Sequence, residues 1–126
     1  MTPKPTIAIV TGASRGAGRG IALALGSHGA TVYVTGRSIN AGDHALPGTI
    51  TETAAAITVA GGTGIAVACD HADDAQVAQL FARVKSEQGR LDLLVNNAAA
   101  IHDELTHPGE FWEKPLKLAD LINVGV

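Results

Sequence analysis

Short apolar runs alternate with amphipathic stretches along this chain. The stretches predict helices, the first over 21–28 and the next two beginning at Thr49 and Asp73, with a last one from Leu116 onward. The apolar runs are rich in β-branched residues, as expected of strands buried on both faces of a sheet. They predict strands over 6–11, 31–35, 65–69 and 91–95.

Capping residues set the expected helix ends. Thr49 with Glu52, and Asp73 with Gln76, match the spacing of a capping box. Glycines then end the helices, because a glycine readily adopts the left-handed conformation of a C-cap. The glycines are Gly29, Gly61, Gly62 and Gly89. The expected apolar faces are Ile50, Ala54 and Ile57 on the second helix, and Val77, Leu80, Phe81 and Val84 on the third.

Strands separated by helices indicate parallel βαβ units with right-handed crossovers. We therefore predict an α/β fold, a Rossmann-like doubly wound parallel sheet. It is expected to be truncated, with about four strands in the order 3-2-1-4. At 126 residues without an internal linker, the chain is expected to be one domain over 1–126 that is incomplete at its C-terminal end.

Charge and composition narrow the classes of function. The formal net charge is −3, so no basic face for nucleic acid or a membrane surface is expected. No apolar run is long enough to span a bilayer. The single cysteine, Cys69, fits a cytoplasmic protein without disulfides. The five histidines lack metal-ligand spacing, so no metal site is predicted.

The segment 12–18 reads Gly-Ala-Ser-Arg-Gly-Ala-Gly and lies between the first predicted strand and the first predicted helix. The N-terminus of a helix attracts phosphate through its unpaired N–H groups, and glycines let the backbone approach a pyrophosphate. Ser14 and Arg15 add a hydroxyl donor and a positive charge. The segment predicts a dinucleotide-binding turn; a purely structural βα turn is the alternative.

Two motifs in order carry a family resemblance. Thr11-Gly-x-x-x-Gly-x-Gly18, followed by Asn96-Asn97-Ala98-Ala99, resembles the short-chain dehydrogenase/reductase family over essentially the whole chain. The chain departs from the family pattern at Ala99, where Gly is usual, and at Ala17, where Ile is usual. The resemblance implies an oxidoreductase that transfers hydride between a dinucleotide and a carbonyl/alcohol pair.

The end of the second strand predicts which dinucleotide is bound. A carboxylate there bonds the ribose 2′-hydroxyl of NAD, whereas this chain has Gly36-Arg37-Ser38. The Arg37 guanidinium suits the 2′-phosphate of NADP(H), and Arg15 is expected to clamp the same group. NADP(H) is therefore the preferred cofactor, with NAD(H) left open. The alternative is that Arg37 is a solvated loop charge.

The resemblance assigns the remaining cofactor contacts. The Asp70 carboxylate and the His71 backbone N–H are expected at the adenine edge, with a strand-end cap as the plainer interpretation of Asp70. Asn97 and Ala98 are expected along the adenosine ribose. The full predicted cofactor set is Gly12, Ser14, Arg15, Gly16, Ala17, Gly18, Arg37, Ser38, Asp70, His71, Asn97, Ala98 and Ala99.

The resemblance also implies a catalytic Ser and a Tyr-x-x-x-Lys, with an Asn that supports a proton-relay water. Asn123 occupies the place of that Asn. The single tyrosine, Tyr33, lies in a predicted buried strand and is followed four residues later by Arg37 rather than Lys. We therefore expect the chain to be the N-terminal part of an enzyme and inactive alone.

The leading hypothesis is an NADP-dependent oxidoreductase represented by its cofactor-binding half. Its partner is a small carbonyl or alcohol substrate, and the full-length form is expected to be a homo-oligomer. The alternative is a non-catalytic dinucleotide-binding module. A methyltransferase also uses a glycine turn, but Gly36 and Arg37 stand where it needs an acidic residue.

Overall fold

In the computed structural model, the described residues are 5–14, 16–36 and 49–97, and within these ranges strands and helices alternate. The four strands are all parallel and lie in the order β3-β2-β1-β4, which confirms the predicted topology. The elements are β1 (Ile7–Val10), α1 (Gly16–Ser27), β2 (Thr31–Gly36), α2 (Ile50–Val59), β3 (Thr63–Ala68), α3 (Asp74–Gln88) and β4 (Leu93–Val95).

Each face of the sheet has its own apolar core. Alternate residues of a strand point to opposite faces, so β1 and β2 supply both cores. On one face, Val10 and Val34 pack with residues of α1 and α2, including Ile57. On the other, Ile9 packs with residues of α3, including Leu80. The two helical layers hold the carboxyl ends of the strands in a common orientation.

The helix caps form as predicted. Thr49 Oγ1 accepts a hydrogen bond from the Glu52 backbone N at 3.1 Å, and Asp73 Oδ1 accepts one from the Ala75 N at 3.0 Å. Gly89 ends α3 with a φ of 76°. The Gln76 side chain differs from the capping-box expectation, because its Oε1 accepts from the Asp70 backbone N at 2.8 Å.

Three elements begin two or more residues away from their predicted starts. Helix α1 begins at Gly16 rather than at residue 21, because packing outweighs the low helix propensity of its glycines. Strand β3 begins at Thr63 rather than at residue 65, because Thr63 pairs with Thr31 at the start of β2. Strand β4 begins at Leu93, since the Asp92 carboxylate accepts the Ile7 N–H at 2.8 Å.

Tyr33 joins β2 to α3. Its ring is fully buried, and its hydroxyl donates to Glu87 Oε1 at 2.7 Å and accepts from Gln88 Nε2 at 3.1 Å. Burial raises the pKa of the Tyr33 phenol, and its hydrogen bond lowers the pKa of the Glu87 carboxyl. Tyr33 is therefore a structural residue.

Replacing Tyr33 with Phe is expected to destabilise the fold by about 1 kcal/mol, the usual net value of a lost hydrogen bond. The ring and its packing stay, so the loss reports the hydroxyl alone. Urea unfolding followed by circular dichroism measures the change in midpoint. An unchanged midpoint would show that the link between β2 and α3 contributes nothing.

The Asp92 carboxyl makes the stability of the fold depend on pH in the acid range. The hydrogen bond from the Ile7 backbone N–H, and then that from the Arg90 side chain at 3.1 Å, lower the pKa of the Asp92 carboxyl. A carboxyl with a lowered folded-state pKa stabilises the protein above its unfolded pKa of about 3.9. That stability is lost as the pH falls from this value through the folded-state pKa.

The Asp92→Asn variant is therefore expected to lose part of this acid sensitivity, because its side chain does not titrate. Thermal melts of both proteins from pH 7 to pH 2 measure it. The melting temperatures are expected to differ most at neutral pH and to converge at the acid end. A constant gap across the range would contradict this role of Asp92.

Candidate functional site

The four strands end at one edge of the sheet, and the residues that follow them meet there. Segment 11–14 follows β1, Asp70 and His71 lie just beyond β3, and Asn96 and Asn97 come directly after β4. In open α/β sheets this carboxyl edge is where ligands bind. Predicted site residues from three separate parts of the sequence therefore share one location.

The turn between β1 and α1 requires glycine at two positions. Gly12 has a φ of 63° and Gly16 a φ of 61°, both in the left-handed region. A side chain at either position is strained, because only glycine adopts this region at little cost. The described residues of the turn are 12–14, and Gly16, Ala17 and Gly18 form the first turn of α1. The part of the glycine segment that precedes the helix is thus shorter than the predicted turn over 12–18. It lies at the carboxyl edge of the sheet, as expected.

Position 18 has room only for glycine, because neighbouring atoms occupy the place of a Cβ. A Cβ at this position would lie 2.4 Å from the Gly12 carbonyl oxygen and 2.6 Å from Asn97 Nδ2. Asn97 Nδ2 in turn donates to the Gly12 carbonyl at 3.1 Å, and the Asn97 backbone N donates to Thr11 Oγ1 at 2.8 Å. The two sequence motifs that carry the family resemblance are therefore in direct contact.

Two further contacts hold the turn from its other side. The Ala13 N–H donates to the Thr35 carbonyl at 3.0 Å. Thr53 Oγ1, which is fully buried on α2, donates to the Ala13 carbonyl at 2.8 Å. Thr53 was not predicted from the sequence. The signal was a threonine on the apolar face that Ile50 and Ile57 define, since a buried hydroxyl needs a partner.

The start of α1 suits an anion. Its first turn contains no acidic residue, and Gly16 and Ala17 are exposed. The unpaired N–H groups of that turn carry a partial positive charge. The Ser14 side chain is only 6% exposed and lies beside Gly36. At the described residues 12–14 and 16–18, no side chain is larger than that of serine, so a ligand can approach the backbone donors there.

The residues after β3 are held in a local turn. Asp70 Oδ1 accepts the Ala72 N–H at 3.0 Å, which is the strand-end cap that the plainer interpretation expects. His71 Nε2 lies 2.7 Å from Thr35 Oγ1. Burial lowers the pKa of the His71 imidazole, and the neighbouring Asp70 acts in the opposite direction. The His71 side chain is therefore a packed group on the α3 side of the sheet.

Other predicted site residues lie outside the described ranges, so their roles rest on the sequence. They are Arg15, Arg37, Ser38, Ala98, Ala99 and Asn123. Among the residues that the structure does describe, no three His, Cys, Asp or Glu side chains are placed to hold a metal ion. Within the same ranges, no helix has the length and apolar character needed to cross a membrane.

A sequence model of the short-chain dehydrogenase family matches residues 6–118. The chain belongs to the short-chain dehydrogenase family. The family match agrees with the hydrogen bond between Asn97 and the glycine turn. It also confirms the family resemblance from which the site residues were predicted.

Relatives extend well beyond the chain. It is 45% identical over 123 residues to mouse "Dehydrogenase/reductase SDR family member 1", covering 95% of this chain and 37% of that protein. A short-chain dehydrogenase homologue from Mycobacterium thermoresistibile has 36% identity and a TM-score of 0.77, with 94% of this chain and 40% of that chain covered. A metagenomic short-chain oxidoreductase in complex with NADP has 32% identity and a TM-score of 0.74, with 95% and 49% covered. The chain thus spans less than half the length of these short-chain dehydrogenase relatives.

Proposed function

We propose that this chain is the cofactor-binding part of an oxidoreductase that transfers hydride between NADP(H) and a small carbonyl or alcohol. The observation that carries the proposal is the contact among Gly12, Gly18 and Asn97. It fixes a bend of the backbone in front of the first turn of α1, where a Cβ has no room. A pyrophosphate needs this combination of close approach and backbone donors.

In this proposal, different residues of the chain bind different parts of the cofactor. The backbone N–H groups of Gly16, Ala17 and Gly18 hold the pyrophosphate, and Arg15 and Arg37 hold the 2′-phosphate. The Ser14 hydroxyl adds a donor in the turn, and the remaining predicted residues of the site, Ser38, Asp70, His71, Asn97, Ala98 and Ala99, line the adenosine half. When bound, the nicotinamide supplies or accepts the hydride.

The choice of NADP(H) over NAD(H) rests on the end of β2. Gly36 offers no carboxylate to repel a 2′-phosphate, and the next residue is Arg37. The solved relative in complex with NADP supports the same choice. A charged hydrogen bond is worth about 1.5–3 kcal/mol, which corresponds to a preference of roughly ten- to a hundredfold.

The Arg37→Asp variant tests this choice. Wild-type protein is expected to bind NADPH more tightly than NADH, and the variant to lose at least about tenfold of that preference. Thermal shift at several concentrations of each dinucleotide measures both affinities. Arg83→Gln is the control, because Arg83 lies on α3 and pairs with Glu87. An unchanged NADPH-to-NADH ratio in Arg37→Asp would remove Arg37 from the proposal.

One observation favours a second candidate, dinucleotide binding without turnover. The single tyrosine of the chain is fully buried, with its hydroxyl bonded to Glu87 and Gln88. Its hydroxyl is therefore not available to donate a proton to a substrate. Oxidation of NADPH by the full-length protein, with a panel of small aldehydes and ketones, separates the two candidates, since this chain alone is expected to be inactive under either. Turnover by the full-length protein supports the first candidate, and binding without turnover supports the second.

We also propose a location and a state of assembly. Cys69 is free and buried, which suits the reducing cytosol that we propose as the location. A homo-oligomer is proposed for the full-length enzyme.

A further inference from the structure

Position 36, at the end of β2, has no room for a side chain. A Cβ there would lie 2.9 Å from Ile50 Cγ2 and 4.0 Å from the Ser14 side chain. The backbone itself does not require glycine, since Gly36 is part of β2 and pairs with Ala68 in the sheet. Glycine is therefore required by the neighbouring packing rather than by the strand conformation.

Ile50 is poorly able to move away. It is the first residue of α2, it is 1% exposed, and the preceding residue, Thr49, caps the helix. A β-branched side chain in a helix keeps essentially one χ1 rotamer. The clashing atom is the branch methyl, which is attached directly to Cβ. The methyl can therefore move only if the start of α2 moves with it.

We propose that Ile50 is a specificity-determining residue for the dinucleotide. Its branch methyl keeps position 36 free of a side chain, and so excludes a carboxylate from the end of β2. A carboxylate there bonds the ribose 2′-hydroxyl and repels a 2′-phosphate. The inference rests on the proposed function, because it explains how this site is kept suited to NADP(H). It assigns part of the cofactor choice to a buried residue of α2, in addition to Arg37.

The first experiment tests the exclusion without any ligand. Gly36→Ala is made in the wild-type, Ile50→Val and Ile50→Leu backgrounds. Valine keeps the branch at Cβ, whereas leucine removes it at nearly the same side-chain volume. Gly36→Ala is expected to lower the melting temperature by about 4 °C or more in the first two backgrounds. The drop is expected to be less than half as large with Ile50→Leu.

The second experiment measures the cofactor choice. Gly36→Asp is made with Ile50→Val and with Ile50→Leu, and NADPH and NADH are titrated against each protein by thermal shift. With Ile50→Leu, the NADH-to-NADPH affinity ratio is expected to rise by at least about tenfold. With Ile50→Val, the variant is expected to lose affinity for both dinucleotides without this change of ratio.

The outcomes separate the inference from the proposed function. An equal melting-temperature drop in all three backgrounds, or the same tenfold switch with Ile50→Val, overturns the role of Ile50. Wild-type protein that binds neither NADPH nor NADH overturns the proposed function, and the specificity role falls with it. If the Gly36→Asp variants do not fold, the Gly36→Ala series alone decides whether Ile50 excludes a side chain from position 36.

Discussion

Gly18→Ala is expected to abolish dinucleotide binding and to destabilise the fold by about 2–3 kcal/mol. The new Cβ would lie 2.4 Å from the Gly12 carbonyl oxygen and 2.6 Å from Asn97 Nδ2. The first neighbour is backbone, so either the turn or the start of α1 must shift. A shift of the start of α1 moves the Gly16, Ala17 and Gly18 N–H groups that are proposed to hold the pyrophosphate, and a shift of the turn moves the bend in front of them.

Gly20→Ala is the matched control for this variant. Gly20 lies two residues further along α1, and a Cβ there meets nothing within 4 Å. Alanine is favoured over glycine in a helix by about 1 kcal/mol, so Gly20→Ala is expected to raise stability slightly. NADPH titration and urea unfolding of both variants make the comparison. Equal NADPH affinity in the two variants would contradict the role of the turn.

Gly64→Ala is expected to be the most destabilising of the single substitutions considered, by about 3 kcal/mol or more. A Cβ at position 64 would lie 2.1 Å from the Ala54 carbonyl oxygen and 2.7 Å from the Ala54 Cα. Helix α2 therefore crosses β3 with the two backbones in contact. Inserting a methyl group moves the whole helix, including Thr53, which holds the glycine turn.

Thr63→Ala in the same strand is the control for Gly64→Ala. Thr63 is exposed, so its loss is expected to cost at most about 1 kcal/mol of β-propensity. Urea unfolding measures both. If Gly64→Ala were as mild as Thr63→Ala, the close approach of α2 and β3 would not be present in solution.

Local patterns predicted the elements and their order well. The caps at Thr49 and Asp73 depend only on side chains within three residues, so the sequence shows them directly. The parallel order follows from the alternation of strands and helices. The predicted start of α1 was wrong because glycine is a poor helix former. The helix begins earlier since its first turn packs against Asn97, which is distant in sequence.

The site was only partly predictable for the same reason. The glycine turn is a contiguous pattern, and its role could be predicted from the strand and helix on either side. Thr53 and Ala13 are 40 residues apart in sequence, and the contact of Ile50 with Gly36 is likewise formed only when α2 packs on the sheet. Neither relationship has a local sequence signal beyond a buried threonine or an unexplained glycine.

The start of α1, with the glycine turn in front of it, is proposed to bind a dinucleotide through backbone N–H groups. Amide chemical shifts of the isotope-labelled chain, followed during an NADPH titration, test this most directly. NADPH at up to about 5 mM detects even millimolar affinity. The largest shifts are expected at the amides of Gly12, Gly16, Ala17 and Gly18 and at the Asn97 side chain. Unmoved signals at these residues, with or without changes elsewhere, would contradict this binding mode.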